Sequence, residues 1–246
     1  MSSAPPPTPS FLPGPAADEP RPMRGLLGLA MRRPGGRRAV SAVTALLFLG
    51  GVSMFAFPAV TDLIGAARQV HVKEEFNNPQ FQTLYRAGAV KVGQGLTRLV
   101  IDNPRVKVDV LVVEGTTFDA LRAGAGHYVF TPYPCQRGNV AIAGHRTTYG
   151  RPFNRIDQMR PGDTVTLITP FKRCVYQVVP GFDHHSNPWI TYPTDDSVVS
   201  QDGDLGTGHW LTLTSCNPKG SDAQRIILRA QLVSESKIAS STRGSS

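Results

Sequence analysis

The sequence predicts a mainly β domain preceded by one transmembrane helix, and two observations carry this prediction. First, residues 39–61 contain no charged side chain and are rich in Ala, Val, Leu and Phe, and a helix needs about 20 such residues to cross a bilayer. Second, from about Gly88 onward, short runs of β-branched and apolar residues recur between turns that contain Gly, Pro and Asp. This second pattern is typical of a β-sandwich or a β-barrel.

Residues 1–38 are rich in Pro, Gly and Arg and are predicted to form a disordered cytoplasmic tail. The tail contains a cluster of arginines with no acidic residue among them: Arg21, Arg24, Arg32, Arg33, Arg37 and Arg38. Because basic flanks of a membrane span stay in the cytoplasm, we expect a cytoplasmic N-terminus and an extracellular C-terminal part. These arginines also explain much of the basic charge, so no nucleic-acid partner is expected.

Residues 39–61 have two interpretations, a cleaved signal peptide and a retained anchor. The apolar region of a signal peptide is usually only about 7–15 residues long. The stretch here is longer, and its basic leader lies far from Met1. We therefore favour a retained anchor, which predicts a single-pass protein of the cell membrane.

The remaining chain divides into three predicted parts. Residues 62–87 carry mixed charge and are expected to form a short helix or linker, residues 88–235 form the β domain, and residues 236–246 are a polar, flexible tail. Helical turns are predicted within 117–122 and 153–159. Seven strand-like runs are expected: 96–101, 106–113, 139–143, 164–168, 175–179, 210–214 and 226–233.

Three reactive side chains stand at the ends of strand-like runs. Cys216 follows one run, His145 follows another, and Arg225 opens a third. A thiolate attacks carbonyl carbons and forms a thioester that water or an amine can resolve. An imidazole can protonate the leaving amine and then deprotonate the incoming one, and a guanidinium is suited to a developing oxyanion. Together these groups predict the cleavage of an amide through a thioester.

Each of the three residues also has an ordinary structural interpretation. A cysteine that ends an apolar run is often a buried, inert thiol, a histidine after glycine is often a turn residue, and an arginine that opens a strand is often solvated. A metal site from Asp183, His184, His185 and His209 is not expected, because they lack a recognisable ligand spacing. No phosphate loop or dinucleotide fingerprint occurs either, so no cofactor is predicted.

The sequence around these residues resembles that of the sortases, the membrane-anchored cysteine transpeptidases of Gram-positive bacteria. The similarity covers about residues 90–233. It is carried by these segments: 112–116 (VVEGT), 124–128 (GAGHY), 138–146 (GNVAIAGHR), 161–163 (PGD), 211–216 (LTLTSC) and Arg225. The GHRTTYG segment at 144–150 and the basic, anchored N-terminus are most similar to class E, the actinobacterial housekeeping group.

The resemblance implies an eight-stranded barrel with Cys216 as nucleophile, His145 as general acid/base and Arg225 as stabilising arginine. Arg229 would face the same side of its strand as Arg225, but the family motif has its arginine at the strand's start. Thr214 and Ser215 are predicted to contact the substrate, and Thr214 would share a strand face with Cys216.

The resemblance also implies a reaction. A sorting signal of the Leu-Pro-x-Thr-Gly type, or Leu-Ala-x-Thr-Gly in class E, is cut between Thr and Gly. The acyl group passes to the cysteine and then to an amine of a cell-wall precursor. The implied partners are therefore surface proteins with a C-terminal sorting signal and the peptidoglycan precursor amine.

The other two cysteines leave an alternative open. Cys135 stands where related sequences commonly have a glycine, and it either forms a disulfide with Cys174 or is a second reactive thiol. Function has alternatives as well: a cysteine peptidase that passes the acyl group to water, or a non-catalytic wall-binding module whose Cys216 is buried.

Overall fold

The structure, a computed structural model, describes residues 34–238. The predicted cytoplasmic tail lies outside the described residues up to position 33, and so does most of the predicted C-terminal tail, from position 239. The chain divides into two compact units, Met1–Met54 and Phe55–Ser246. All the contacts discussed below lie within the second unit.

The first helix, α1 (Pro34–Phe76), contains the predicted span. Within it, Gly35–Phe76 is long and apolar enough to cross a membrane, with a mean hydropathy of 2.0 in an 18-residue window. Large apolar side chains are exposed along this stretch, including Leu47 and Phe55. Such a surface needs an apolar environment, which a bilayer supplies.

Helix α1 does not end where the predicted span ends but continues to Phe76. Beyond Thr61 one face of the helix packs on the β domain, so that Thr61, Gly65 and Val72 are buried at helical spacing. This packing stabilises a helix through the segment for which the mixed charge predicted a short helix or linker. A second helix, α2 (Pro79–Arg86), follows, and the Asn78 side chain caps it by accepting a hydrogen bond from the backbone N–H of Gln80.

Eight strands form a closed barrel. In chain order they are β1 (Gly95–Asp102), β2 (Lys107–Glu114), β3 (Ala125–His127), β4 (Gly138–Gly144), β5 (Thr164–Ile168), β6 (Lys172–Val178), β10 (His209–Asn217) and β11 (Gln224–Lys237). The order around the barrel is β10-β4-β3-β2-β1-β5-β6-β11, and the pairing of β11 with β10 closes it. The expected barrel is confirmed, and the seven predicted runs fall on seven of its strands. The eighth is β3.

Short elements connect the strands. Helix α3 (Phe118–Leu121) lies after β2, and the Thr117 hydroxyl caps it at 3.3 Å from the backbone nitrogen of Ala120. A 3₁₀-helix (Ile156–Gln158) precedes β5. Between β6 and β10 lie β7 (Gly181–Phe182), β8 (His185–Ser186), β9 (Trp189–Thr191), a 3₁₀-helix (Ser197–Val199) and helix α4 (Asp204–Thr207).

The barrel interior is filled by alternate residues of its strands, among them Val140, Ile142, Leu211, Leu213 and Leu228. Cys135 and Cys174 belong to this core and form a disulfide, which answers the question that the sequence left open. Cys135 has a φ of +73°, a conformation that a glycine adopts without strain. Cys216 is the free cysteine.

Candidate active site

The strand register brings Cys216, His145 and Arg225 to one end of the barrel. Cys216 lies at the end of β10 and is the direct cross-strand partner of Arg225 at the start of β11. Strand β4 runs parallel to β10, with Ala143 beside Thr214, so the chain that follows β4 carries His145 past the same end. Cys216 and Arg225 are therefore neighbours in the sheet, and His145 follows the adjacent strand at the same end.

The alternation of side chains also directs the three residues to the same face. Leu211 and Leu213 point into the barrel core, so Thr214 and Cys216 project outward. Directly opposed residues of an antiparallel pair share a face, with Cβ atoms about 4.5–5.5 Å apart, and Arg225 therefore projects outward beside Cys216. His145 continues the outward alternation that Ala141 and Ala143 set in β4.

The main chain at Cys216 is supported by Arg146. This buried guanidinium donates from Nη1 to the carbonyl oxygen of Cys216 at 3.4 Å and to Oδ1 of Asn217 at 3.1 Å. From Nη2 it donates to Oδ1 of Asp157 at 2.8 Å. The sequence motif contained this arginine, yet sequence reasoning assigned no role to it. Its contacts link the residue after the histidine to the strand end that carries the thiol.

His145 is half-buried, and its backbone N–H donates to the carbonyl oxygen of Gly124 at 3.0 Å. Burial lowers the pKa of its imidazole, and a hydrogen bond with the Leu121 backbone opposes that effect. The ring of Tyr149 packs against it, with centroids 5.1 Å apart. The free imidazole is therefore mainly neutral at pH 7 and ready to accept a proton.

Arg225 and Arg229 share a strand face but have different surroundings. Arg225 is half-buried, and its Nη1 donates to the carbonyl oxygens of Asp222 and Gln224 at 2.8 and 3.0 Å. Arg229 is 1% exposed, lies under the ring of Phe182 and donates to Thr212 Oγ1. Burial lowers the pKa of Arg229 to about 10. Of the two, Arg225 is the direct neighbour of the thiol.

Thr214 and Ser215, the two residues predicted to contact substrate, face opposite sides of β10. Thr214 faces outward, and its hydroxyl lies 3.0 Å from Oη of Tyr128, a tyrosine that sequence reasoning did not single out. Ser215 faces the barrel interior and donates its hydroxyl to the carbonyl oxygen of Gly144 at 2.6 Å. Ser215 therefore ties the end of β10 to the end of β4, and its contact with substrate stays a prediction.

A cavity of about 410 Å³ lies along the same outer face and contains none of the three reactive residues. Its lining includes Phe182, Trp189 and Arg229, together with His185 at the β7–β8 hairpin. The three reactive residues instead lie half-buried at the end of β4 and β10 and the start of β11.

A family model, a related protein and solved structures all indicate the same family for this chain. The family model described as the sortase domain matches residues 101–233. Sortase SrtE1 of Streptomyces coelicolor is 33% identical over 159 residues, which cover 60% of this chain and 43% of that protein. The match therefore spans less than half the length of this curated relative.

Solved structures agree. Sortase E from Streptomyces avermitilis superposes with a TM-score of 0.51 at 34% identity, covering 60% of this chain and 93% of that one. The SrtF sortase from Corynebacterium diphtheriae gives a TM-score of 0.56 at 28% identity and covers 63% of this chain and 92% of that one. Both likenesses extend over nearly the whole of the solved chains.

Proposed function

Because the chain belongs to the sortase family and is most like class E, we propose that it is a membrane-anchored cysteine transpeptidase acting on proteins that carry a C-terminal sorting signal. The observation that carries this proposal is the convergence of Cys216, His145 and Arg225 at one strand end. Cys216 is the nucleophile, His145 the general acid/base, and Arg225 the group that stabilises the oxyanion.

In the first half of the reaction, His145 accepts the thiol proton and Cys216 attacks the carbonyl carbon of the threonine in the sorting signal. The carbonyl oxygen becomes an oxyanion, and donors on the guanidinium of Arg225 stabilise it. The tetrahedral intermediate collapses, the Thr–Gly C–N bond breaks, and His145 returns the proton to the leaving glycine amine. A threonyl thioester on Cys216 remains.

In the second half, the amine of a cell-wall precursor attacks the thioester carbon. His145 removes a proton from this amine, and the thiolate of Cys216 leaves and is reprotonated. A new amide bond joins the surface protein to the precursor. The half-buried position of Cys216 and His145 supports transfer to an amine, because a partly enclosed thioester is less accessible to water.

Helix α1 supports the anchored arrangement. The stretch 39–61 has the length and composition of a span, and the same helix continues into contacts with the barrel through Gln69 and Val72. Cleavage as a signal peptide would interrupt this continuous element. The arginine cluster before the span supports a cytoplasmic N-terminus with the barrel outside.

The test uses the purified full chain in detergent micelles, with Leu-Pro-x-Thr-Gly and Leu-Ala-x-Thr-Gly peptides in the presence and absence of excess amine. Mass spectrometry is expected to detect an amine-joined product and an acyl adduct on Cys216. The Cys216→Ala variant is expected to give neither. Comparison of the two peptides identifies the preferred signal.

The alternatives have distinct outcomes. A cleavage product whose mass corresponds to the free acid, with and without the added amine, would identify a hydrolytic cysteine peptidase. A Cys216 thiol that resists a small alkylating reagent in the folded chain, without any peptide product, would identify a non-catalytic wall-binding module. Turnover by the Cys216→Ala variant would exclude this residue as nucleophile.

A further inference from the structure

The loop that follows His145 is closed by a hydrogen bond between its two ends, and part of its backbone has strained φ values. The carbonyl oxygen of His145 accepts a hydrogen bond from the backbone N–H of Phe153 at 3.0 Å, which closes the loop. Within it, Tyr149, Gly150 and Arg151 have φ values of +52°, +76° and +50°. Non-glycine residues hold such a backbone only when their surroundings support it. The loop therefore depends on contacts from outside itself.

Helix α1 supplies these contacts from the first residue after the apolar span. Oδ1 of Asp62 accepts a hydrogen bond from the backbone N–H of Gly150 at 2.9 Å, and Oδ2 pairs with the guanidinium of Arg151, also at 2.9 Å. One turn further, Gly65 lies against Tyr149, so closely that a Cβ there would be 2.9 Å from the tyrosine carbonyl carbon. Only a glycine allows the helix to approach the loop this closely.

A second glycine also lies against the main chain of Tyr149. A Cβ on Gly124 would lie 2.8 Å from the carbonyl oxygen of Tyr149, and the carbonyl oxygen of Gly124 accepts the hydrogen bond from the His145 backbone. The main chain of Tyr149 is therefore held between the helix and the barrel. Its ring, in turn, packs against the imidazole of His145.

The helix is attached to the barrel independently of this loop. The Gln69 side chain donates to the carbonyl oxygens of Leu111 and Ala123 at 2.8 and 2.6 Å and accepts from the backbone N–H of Leu111 at 2.8 Å. Arg68 also pairs with Asp119 on α3 at 3.2 Å. These contacts make the helix a fixed support for the loop.

We propose that Asp62 and Tyr149 are positioning residues for His145, so that the helix leading from the membrane span sets the orientation of the general acid/base. The proposal rests on the proposed function. A displacement of about 1 Å in a reacting group can lower a rate by about 10²-fold. Loss of the loop contacts is therefore expected to lower kcat while the barrel and Cys216 remain intact.

The kinetic test uses the full chain in detergent micelles and compares five variants. Asp62→Ala and Tyr149→Leu are expected to lower kcat for transpeptidation roughly tenfold, with KM for the peptide changed less than twofold. Asp62→Asn tests the same contact with an isosteric side chain, in case the alanine variant folds poorly. Tyr149→Phe keeps the ring and is expected to retain kcat within twofold. Asp119→Asn is the matched control, because it removes a helix–barrel ion pair that does not touch the loop.

A spectroscopic readout separates positioning from simple stabilisation. With ¹³C-labelled histidine, the chain has six imidazole signals, and the signal of His145 is assigned by its loss in His145→Gln. Tyr149→Leu removes the ring that shields His145, so its signal is expected to move. Asp62→Ala is expected to move it in the same direction, and Asp119→Asn is expected to leave it unchanged.

The proposal is overturned if Asp62→Ala and Asp62→Asn leave both kcat and the His145 signal as in the wild type, or if Asp119→Asn reproduces their effects. Failure of the proposed function is a separate result, because it would appear as absent transpeptidation by the wild-type chain. The histidine signals would still report whether Asp62 and Tyr149 orient the ring.

Discussion

The disulfide between Cys135 and Cys174 provides a quantitative test of the fold. It joins the loop before β4 to β6, and both side chains lie in the barrel core with exposures of 3% and 0%. We consider the double variant Cys135→Ala/Cys174→Ala, which removes the cross-link and leaves Cys216 in place. The perturbation acts mainly on the unfolded chain, whose loop becomes free to open.

The expected loss follows from the size of the closed loop. The bonded residues are 39 positions apart, and for a loop of that length the chain-entropy relation gives a restriction of about 13 cal/mol/K, or about 4 kcal/mol at 25 °C. For a folded unit of the size of Phe55–Ser246, each kcal/mol corresponds to about 2–4 °C in Tm. The double variant should therefore melt roughly 8–16 °C below the wild type.

Thermal and urea unfolding of the full chain in detergent measure this loss. The single variant Cys135→Ala should lose nearly as much as the double variant, because either change alone breaks the bond. Cys216→Ala is the matched control, since this cysteine closes no loop, and it should shift the unfolding free energy by less than about 1 kcal/mol. A double-variant loss below about 1 kcal/mol, or a Cys135→Ala loss far smaller than that of the double variant, would refute the entropic reasoning.

Three further predictions concern the candidate site. Arg225→Ala should lower kcat/KM by about 10²–10³-fold with little change in stability. Arg229→Ala should instead lower the free energy of unfolding by about 2–4 kcal/mol and leave the activity of the folded fraction unchanged. The opposite pattern would exchange the roles of the two arginines. Ser215→Ala removes the hydroxyl that bonds the carbonyl of Gly144 and should cost about 1–3 kcal/mol of stability. A large rise in peptide KM would instead indicate that this hydroxyl contacts the substrate. Burial lowers the pKa of His145, so an NMR titration should give a midpoint below about 6.5. Between that midpoint and the pKa of the unfolded chain, the unfolded chain binds more protons, so stability should rise with pH in this interval. A midpoint at or above about 6.5 would contradict the lowered pKa.

The strand pattern was predictable where a run was long enough to show β character. All seven predicted runs lie on barrel strands, because consecutive apolar residues such as those of 140–143 pack on both faces of their strand. Strand β3 was missed because it has three residues, one of them a glycine, and its pairing with β2 and β4 comes from the surrounding sheet. The continuation of α1 to Phe76 was missed for a similar reason, since burial against the barrel stabilises that segment.

For the candidate site, the motifs indicated residue types and strand ends but not the contacts between them. The proximity of Cys216 and Arg225 follows from a register that no local pattern reveals. Period-two alternation from Leu211 and Leu213 reaches Ser215 two residues later and indicates an inward-facing side chain, so this direction was predictable from the sequence. The contact between Asp62 and the loop that carries Tyr149 joins residues 88 positions apart in sequence, so it required coordinates.

The side-chain amide of Gln69 bonds to the backbone of β2 at Leu111, where β3 does not pair with that strand. Strand β3 pairs with β2 only at Val113 and Glu114, and at Leu111 the glutamine side chain satisfies the N–H and C=O that a neighbouring strand would otherwise bond. Exposed strand edges of this kind recruit other chains. A shortened protein beginning after Gln69 would uncover that edge, so self-association through β2 is the expected hazard when the chain is prepared without the part of helix α1 up to this residue.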